Sequence, residues 1–192
     1  MSLWGSSSSD ESKPKNLTTT EKAEVFANEK GWVVRAGSAR TGNGNTSATP
    51  EVLVAIGGLA TALAAATISS TEWDISEFDV SAGGTLSVTV NYNEQITVAG
   101  SPTIAVTNSQ AGGGSAASLT LTKSAATANT VTFTLVVGAA GSTISADDVL
   151  SIGAQNVALA GGTITDTVAT TAAAVAISAG AGSGAGTITA VA

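Results

Sequence analysis

Apolar and polar residues alternate in two segments of the second half of the chain, residues 86–92 and 131–137. Successive side chains of a β-strand point to opposite faces of a sheet, so a period of two places the apolar side chains on one buried face. The side chains predicted to point inward are Leu86, Val88, Val90, Tyr92, Val131, Phe133, Leu135 and Val137. Shorter strands are predicted at residues 103–106, 118–122, 150–152, 163–165, 173–177 and 187–191.

Glycine-containing turns separate most of these strands. About seven to nine short strands at spacings of about ten residues are typical of an antiparallel β-sandwich of the immunoglobulin type. The run from Gly112 to Gly114 shares only its glycines with a phosphate-binding loop, because no Lys-Ser or Lys-Thr pair follows it and no helix begins there. We therefore interpret this run as a hairpin turn.

The first part of the chain follows a different pattern. Thr18 and Glu21 have the spacing of a capping box and Gly31 is a typical helix stop, which together predict a short helix over about residues 18–30. The apolar runs at residues 32–34 and 52–56 predict a β-hairpin. Its long loop, residues 36–50, is rich in Gly, Asn, Ser and Thr, so we expect this loop to be mobile.

The expected fold class is mainly β, an Ig-like antiparallel β-sandwich preceded by a small N-terminal module of an arm, one short helix and a hairpin. Residues 1–16 are Ser-rich and lack an apolar period, so they predict an arm rather than a folded element. The predicted division is an extended arm at residues 1–17, a docking module at residues 18–73 and the sandwich at residues 74–192.

The amino-acid composition excludes several kinds of catalytic and metal site. Ala, Thr, Ser and Gly supply 109 of the 192 residues, charged residues make up 11%, and the chain has no His and no Cys. The missing imidazole and thiol groups exclude His-based triads, thiolate nucleophiles, zinc fingers and disulfides. A glycosidase needs paired carboxylates in a substrate cleft, and only seven aromatic residues are present to line one. We expect no enzyme activity and no cofactor.

Charge is distributed unevenly. Residues 1–51 carry six basic and six acidic residues, whereas residues 52–192 carry one Lys and eight acids and hold the whole net charge of -7. An acidic surface repels phosphate, so we expect no nucleic-acid partner.

The apolar run at residues 52–67 is shorter than the roughly 20 residues of a membrane span. We interpret it as a buried strand followed by a small-residue segment, and expect no membrane association. Residues 1–15 lack the pattern of a secretion signal.

Acidic side chains are the remaining candidates for acid–base or metal chemistry, and they are Asp147 with Asp148, Asp74 with Glu77 and Asp79, and Glu94. A calcium site in a sandwich loop would use Asp147, Asp148 or Asp166. The acids lack the Asp-x-Asp-x-Asp-Gly spacing of a calcium loop, so we favour a solvated turn at residues 145–148. We expect no metal site, and no effect of a chelator on folding.

Four segments of the second half resemble bacterial Ig-like repeats of surface glycoproteins and large adhesins. They read LSVTVNYNEQITVAGSPTIAVTN at residues 86–108, NTVTFTLVV at 129–137, ISADDVLSI at 144–152 and ALAGGTITD at 158–166. In the front part, MSLWG at residues 1–5, DESKPKNL at 10–17, KGWV at 30–33 and EVLVAIGGL at 51–59 carry a second resemblance. They resemble the N-terminal modules of virion proteins from myovirus-type phages that infect marine cyanobacteria.

The second resemblance implies a structural protein of the virion that is made in the host cytoplasm. We expect a capsid decoration or cement subunit that docks by its N-terminal module on other virion proteins, in particular the major capsid protein. Self-association into a homo-oligomer is compatible with this role. The alternative is a neck, tail or fibre accessory protein whose Ig-like domain binds a host surface or glycan. A fragment of a bacterial surface adhesin is a third hypothesis, which the missing secretion signal disfavours.

Three apolar side chains are candidates for docking. Leu3 and Trp4 lie in the arm, where no local core can bury them, so we expect them to insert into a neighbouring subunit. Trp32 is the third candidate. Alternatively, Trp32 and Trp73 form the core of the small module, because both lie beside apolar β-prone runs.

Overall fold

The computed structural model describes residues 13–14, 17–139 and 143–192, so the candidates Leu3 and Trp4 lie outside the described residues. Of the described residues, 43% are in strands and 11% in helices. The helices are α1 (Thr19–Glu24), α2 (Leu59–Ala62) and α3 (Ala179–Gly184), with one 3-10 turn at Ala39–Thr41. The strands are β1 (Val25–Asn28), β2 (Gly31–Val34), β3 (Glu51–Ala55), β4 (Ile68–Trp73), β5 (Phe78–Asp79), β6 (Gly84–Tyr92), β7 (Ile96–Ala99), β8 (Thr103–Asn108), β9 (Ser118–Ala126), β10 (Thr130–Val137), β11 (Val149–Ser151), β12 (Gln155–Asn156), β13 (Thr163–Asp166), β14 (Ala176–Ile177) and β15 (Thr187–Val191).

The largest sheet has eight strands in the order β4-β6-β10-β9-β8-β11-β15-β5. The two strands with the clearest alternation, β6 and β10, pair antiparallel, and Val88 lies opposite Phe133. Both side chains are fully buried, as the period of two predicts. All pairs in this sheet are antiparallel except the short parallel pair of β15 with β5.

Two small sheets complete the larger core. β7 pairs with β13, and β12 pairs with β14. Their side chains Ile96, Ile164 and Ile177 belong to the same buried cluster as Val88 and Phe133. The chain is therefore mainly β, as the alternation predicts, and this arrangement of sheets around one core is consistent with a β-sandwich.

The N-terminal module is a three-stranded sheet, β1-β2-β3, with its own small core. The hairpin predicted from residues 32–34 and 52–56 is present as the antiparallel pair of β2 and β3. β1 is an additional strand, and it lies where the capping-box pattern predicted helix. Leu17, Val25, Ala27, Trp32, Val34, Leu59 and Ala60 form the buried core.

The predicted helix over residues 18–30 is wrong beyond Glu24. The capping box is present, since the Glu21 amide donates to Thr18 Oγ1 at 3.3 Å and the Thr18 amide donates to Glu21 Oε2 at 2.8 Å. From Val25 the chain is extended, because pairing with the apolar strand β2 outweighs the modest local helix preference. Gly31 sits at φ 126° in the β-hairpin, where an added Cβ would lie 2.2 Å from Val54 O.

The apolar run at residues 52–67 forms strand β3 followed by the short helix α2, in line with the predicted strand and small-residue segment. β3 is nevertheless not buried, because it is the outer strand of its sheet and Val52 is 41% exposed. Within the described ranges, no helix combines the length and the apolar character that crossing a membrane requires.

Strand β4 is part of the large sheet, although the expected division places it in the docking module, residues 18–73. It pairs antiparallel with β6 and thereby forms an edge strand of the large sheet. Trp73 packs against the larger core, and its Nε1 donates to Gly186 O at 3.4 Å. The expectation that Trp73 belongs to the core of the N-terminal module is therefore wrong.

Candidate functional site

Trp32 is a core residue of the N-terminal module. Its side chain is 1% exposed, on β2, and it packs in the same cluster as Val25, Val34 and Leu59. A side chain that is already buried offers no surface to another subunit. The structure therefore corrects the expectation that Trp32 docks on a partner, and confirms the alternative that it forms the module's core.

The module meets the sandwich at the segment that follows β6. The Ala27 amide of β1 donates to Asn93 O at 2.8 Å, and the Gln95 amide donates to Ala27 O at 3.1 Å. Ala27 and Glu94 thereby form a parallel β-bridge. We call this contact between β1 and residues 93–95 the junction. Through these backbone hydrogen bonds, the outer edge of β1 is joined to the segment that follows β6 in the sandwich.

Two asparagine side chains, of the buried Asn129 and the half-buried Asn93, strengthen the junction. Asn129 Nδ2 donates to Ala23 O at 3.3 Å and to Tyr92 O at 3.2 Å, so one amide group links the module to the sandwich. Asn93 Oδ1 accepts from the Thr67 amide at 2.6 Å. These bonds place polar backbone groups of both parts within one hydrogen-bonded network.

A buried pair of acids lies beside this network. Glu94 is 0% exposed and Asp166 is 1% exposed. Asp166 pairs with Ile96 across β13 and β7, which brings it next to the segment that carries Glu94. Asp166 Oδ1 accepts the amides of Val168 and Ala169, both at 2.8 Å. Asp166 Oδ2 and both oxygens of Glu94 have no hydrogen-bond partner among the described residues. Two ionised carboxylates cannot bond to each other, because each of them can only accept a hydrogen bond.

The environment of this pair favours a proton on Glu94. Burial, followed by the nearby charge of Asp166 and its carboxyl group as a potential hydrogen-bond partner, raises the pKa of Glu94 to about 8. A protonated Glu94 can donate to Asp166, which gives the unpartnered oxygens a partner. With a pKa of about 8, Glu94 favours its protonated form at neutral pH.

Four other buried polar atoms have no partner in the described part of the chain. They are Trp32 Nε1, Asn91 Oδ1, Tyr92 Oη and Asn129 Oδ1. Native proteins satisfy most buried polar groups, so a concentration of exceptions marks a functional or strained site, or ordered water. Two of these atoms, on Tyr92 and Asn129, belong to residues that adjoin the junction, so together with the buried acid pair they mark the junction as a candidate functional site.

Asp148 forms a second, different polar site at a loop of the sandwich. Its Oδ1 accepts the Gly112 amide at 2.8 Å, and its Oδ2 accepts the Ser145 amide and Asn108 Nδ2, both at 2.9 Å. Burial alone raises the pKa of Asp148, but the hydrogen bonds from Ser145, Asn108, Gly112 and Gly114 outweigh it and lower the pKa below its ordinary value. The group stabilises the fold as an anion.

The expected solvated turn at residues 145–148 is therefore wrong for Asp148, although Asp147 is exposed. Asp148 ties this turn to the glycine run at residues 112–114. That run is more than a simple hairpin turn, because a Cβ on Gly112 would overlap Ala146 O at 1.6 Å and one on Gly114 would lie 2.1 Å from Asp148 Oδ2. The glycines permit the two loops to touch.

A polar cleft of about 460 Å³ lies between the loop at residues 36–50 and the outer face of the large sheet. The loop is tied to α1, since Ser38 Oγ donates to Glu24 at 2.5 Å and Arg40 pairs with Glu21 at 2.6 Å. None of the described residues that line the cleft is aromatic. Its charged lining residues are Glu24, Arg35, Glu72 and Asp74.

No cluster of three or more acidic side chains suited to a metal ion occurs within residues 13–14, 17–139 and 143–192. Asp147, Asp148 and Asp166 do not converge, because Asp148 binds its own loops and Asp166 lies beside Glu94. Comparison with known protein families, with curated proteins and with solved structures finds no match for this chain. The resemblances to Ig-like repeats and to phage virion proteins stay predictions.

The sequence contains a signal for the acid pair, although Glu94 and Asp166 were not predicted to meet. Glu94 and Ile96 have the same parity in one extended segment, and so do Ile164 and Asp166. Because Ile96 and Ile164 are inward residues, the period of two places both acids on the inward face. Two acids predicted at buried positions indicate a protonated or paired site.

Proposed function

We propose that this chain is a non-catalytic structural subunit of a phage virion that decorates or cements the capsid. The N-terminal module docks on the major capsid protein or a neighbouring virion protein. The sandwich projects from the particle or packs between neighbours. The protein is made in the host cytoplasm and acts in the virion.

The junction is the observation that supports this proposal best. A docking module can hold a second domain on a lattice only if the two are firmly connected, and here Ala27 bonds to both Asn93 and Gln95 through the backbone. Pro14 and Leu17 are buried, and the Leu17 amide donates to Pro14 O at 3.3 Å. The arm therefore joins the chain at the module, where docking is proposed.

The hydrogen bonds that the carboxylates accept agree with a structural role for the protein. Asp74 Oδ2 accepts Ser87 Oγ at 2.6 Å and Thr89 Oγ1 at 3.0 Å, and Asp79 Oδ1 accepts the amide and hydroxyl of Ser81 at 2.8 and 2.7 Å. Asp148 bonds three groups of its own loops. These acids organise loops and strand surfaces of the protein itself.

The affinity of such a subunit would come from apolar burial and copy number. Burying one Trp removes about 150–250 Å² from water, which at about 25 cal/mol per Å² is worth about 4–6 kcal/mol before the cost of ordering the arm. Many copies on one lattice then multiply a weak individual contact. Trp4 is the side chain proposed to make this contact.

Deleting residues 2–12 is expected to weaken capsid binding at least tenfold without unfolding the protein. The deletion removes Leu3 and Trp4 but leaves the buried Pro14 and Leu17 in place. Circular dichroism measures the fold, and co-sedimentation with capsids that lack the protein measures binding. Trp4→Ala should reproduce most of the loss, while Ser7→Ala should not change binding. Undiminished binding of the deletion variant would refute the arm as an anchor.

The polar cleft favours one alternative, a neck, tail or fibre accessory protein that binds a host surface or glycan. Clefts between structural units are common ligand sites, and this one offers Arg35, Asp74 and several hydroxyl groups. If the alternative holds, the protein binds glycans on an array and Asp74→Asn removes that binding, while Glu77→Gln, outside the cleft, retains it. No glycan binding at all contradicts the alternative.

A further inference from the structure

The acid pair sits where the module is attached. Glu94 bridges to Ala27 of the module, and Asp166 belongs to the neighbouring strand of the sandwich. The Thr167 amide next to Asp166 donates to Gln95 O at 2.9 Å. A change in the charge of the pair therefore acts directly on the backbone bonds that close the junction.

We propose that Glu94 and Asp166 form a proton-dependent latch that holds the N-terminal module against the sandwich. The junction is closed while the pair shares one proton, and it opens more readily when both carboxyl groups are ionised. The latch concerns the junction on which the proposed function also relies, but it does not depend on what the module docks on.

The doubly ionised pair is unstable when buried, because its two negative charges repel each other and no positive side chain among the described residues pairs with them. Two carboxylates in contact do not both ionise without cost, and a buried charge needs a partner. The ion pair found among the described residues joins Arg40 to Glu21 and does not involve Glu94 or Asp166. Opening the junction to water is the means by which the second negative charge becomes solvated.

No other titratable group among the described residues around the pair takes over the role of Asp166 as the charge that acts on Glu94. Tyr92, at the end of β6, stays neutral because burial raises its pKa above the ordinary value. Glu29 and Lys30, in the turn between β1 and β2, are exposed and of opposite charge. β1 itself and the segment at residues 127–129 carry no titratable side chain. Asp166 is thus the group that acts on Glu94.

The sign of the pH dependence follows from the raised pKa. Glu94 has a pKa of about 8 in the closed junction, while an exposed Glu has one of about 4.3. The closed state binds the proton more tightly, so its stabilisation is complete below about pH 4.3 and is lost as pH rises toward 8. The opening constant of the junction should rise about tenfold per pH unit within this window and level off above it.

Hydrogen exchange of the Ala27 and Gln95 amides tests the latch, because these amides donate the bonds that close the junction. Exchange is measured at pH 5.5, 6.5 and 7.5 and corrected for intrinsic rates, and we expect protection of both amides to fall about 100-fold over this range. Glu94→Gln keeps the shape of the side chain and can donate to Asp166 at every pH, so its protection should be constant. Glu77→Gln is the control, since Glu77 is exposed, and should behave like the unmodified protein.

Asp166→Asn provides a second variant in case Glu94→Gln fails to fold. It should weaken the pH dependence without abolishing it, because it removes the neighbouring charge while Glu94 stays buried. Equal protection of the unmodified protein at all three pH values would refute the latch. So would loss of protection on adding EDTA, restored by Ca²⁺, because the pair would then hold a cation instead of a proton. These outcomes do not bear on capsid binding, which the arm deletion tests separately.

Discussion

Replacing Phe133 with alanine is expected to lower the free energy of unfolding by about 3–5 kcal/mol, as truncation of a buried Phe typically does. Phe133 is 0% exposed and lies in the middle of β10, opposite Val88 on β6 and Lys123 on β9. Its ring belongs to the larger buried core. The surrounding strands are held by sheet hydrogen bonds, so they cannot collapse fully into the space that the ring leaves.

Thr132→Ala is the matched control for Phe133→Ala, because it removes the neighbouring side chain on the opposite face of β10. Thr132 is partly buried, and its Oγ1 lies 3.1 Å from Thr89 Oγ1, so its loss should cost less than about 1 kcal/mol. Urea unfolding followed by circular dichroism measures both values. Equal costs for the two variants would mean that the inward and outward faces of β10 are wrongly assigned.

Replacing Asp148 with alanine is expected to cost about 3–5 kcal/mol, because a hydrogen bond to a charged group contributes about 1.5–3 kcal/mol and the losses of several such bonds are not fully additive. The variant leaves the Gly112 and Ser145 amides and Asn108 Nδ2 without their acceptor. Buried donors without an acceptor carry the full cost of lost hydration. Asp147→Asn, in the exposed neighbouring position, should change stability by less than about 0.5 kcal/mol.

Acid unfolding gives an independent check on Asp148. Its pKa is lowered in the folded protein, so its stabilisation is present above the unfolded value and is lost as pH falls through the folded value. The difference between the unmodified protein and Asp148→Ala should therefore shrink below about pH 4. A difference that is small at neutral pH, or one that grows in acid, would contradict the assignment of Asp148 as a loop-tying anion.

Strands with strict alternation are the part of the fold that the sequence predicts well. Leu86 and Val88 in β6, and Phe133 in β10, are inward as expected, because each strand has one polar and one apolar face. Prediction failed where long-range pairing outweighs local preference. Val25 follows a genuine capping box, yet it leaves the helix to pair with Val34.

The polar sites were harder to predict because each depends on contacts between distant segments. Asp148 is a plausible solvated turn residue until Gly112 and Asn108 are known to lie beside it. Glu94 and Asp166 come together only through the pairing of β7 with β13. Inward parity was the available signal, and it identifies which acids are buried but not which acids meet.

Quantitative mass spectrometry of purified virions tests the proposed function most directly. The measurement compares the number of copies of this chain per particle with that of the major capsid protein. A decoration or cement subunit should be present in a fixed, lattice-like ratio to the capsid protein. Absence of the chain from purified particles would contradict a virion role, and a few copies per particle would contradict capsid decoration in favour of the neck, tail or fibre alternative.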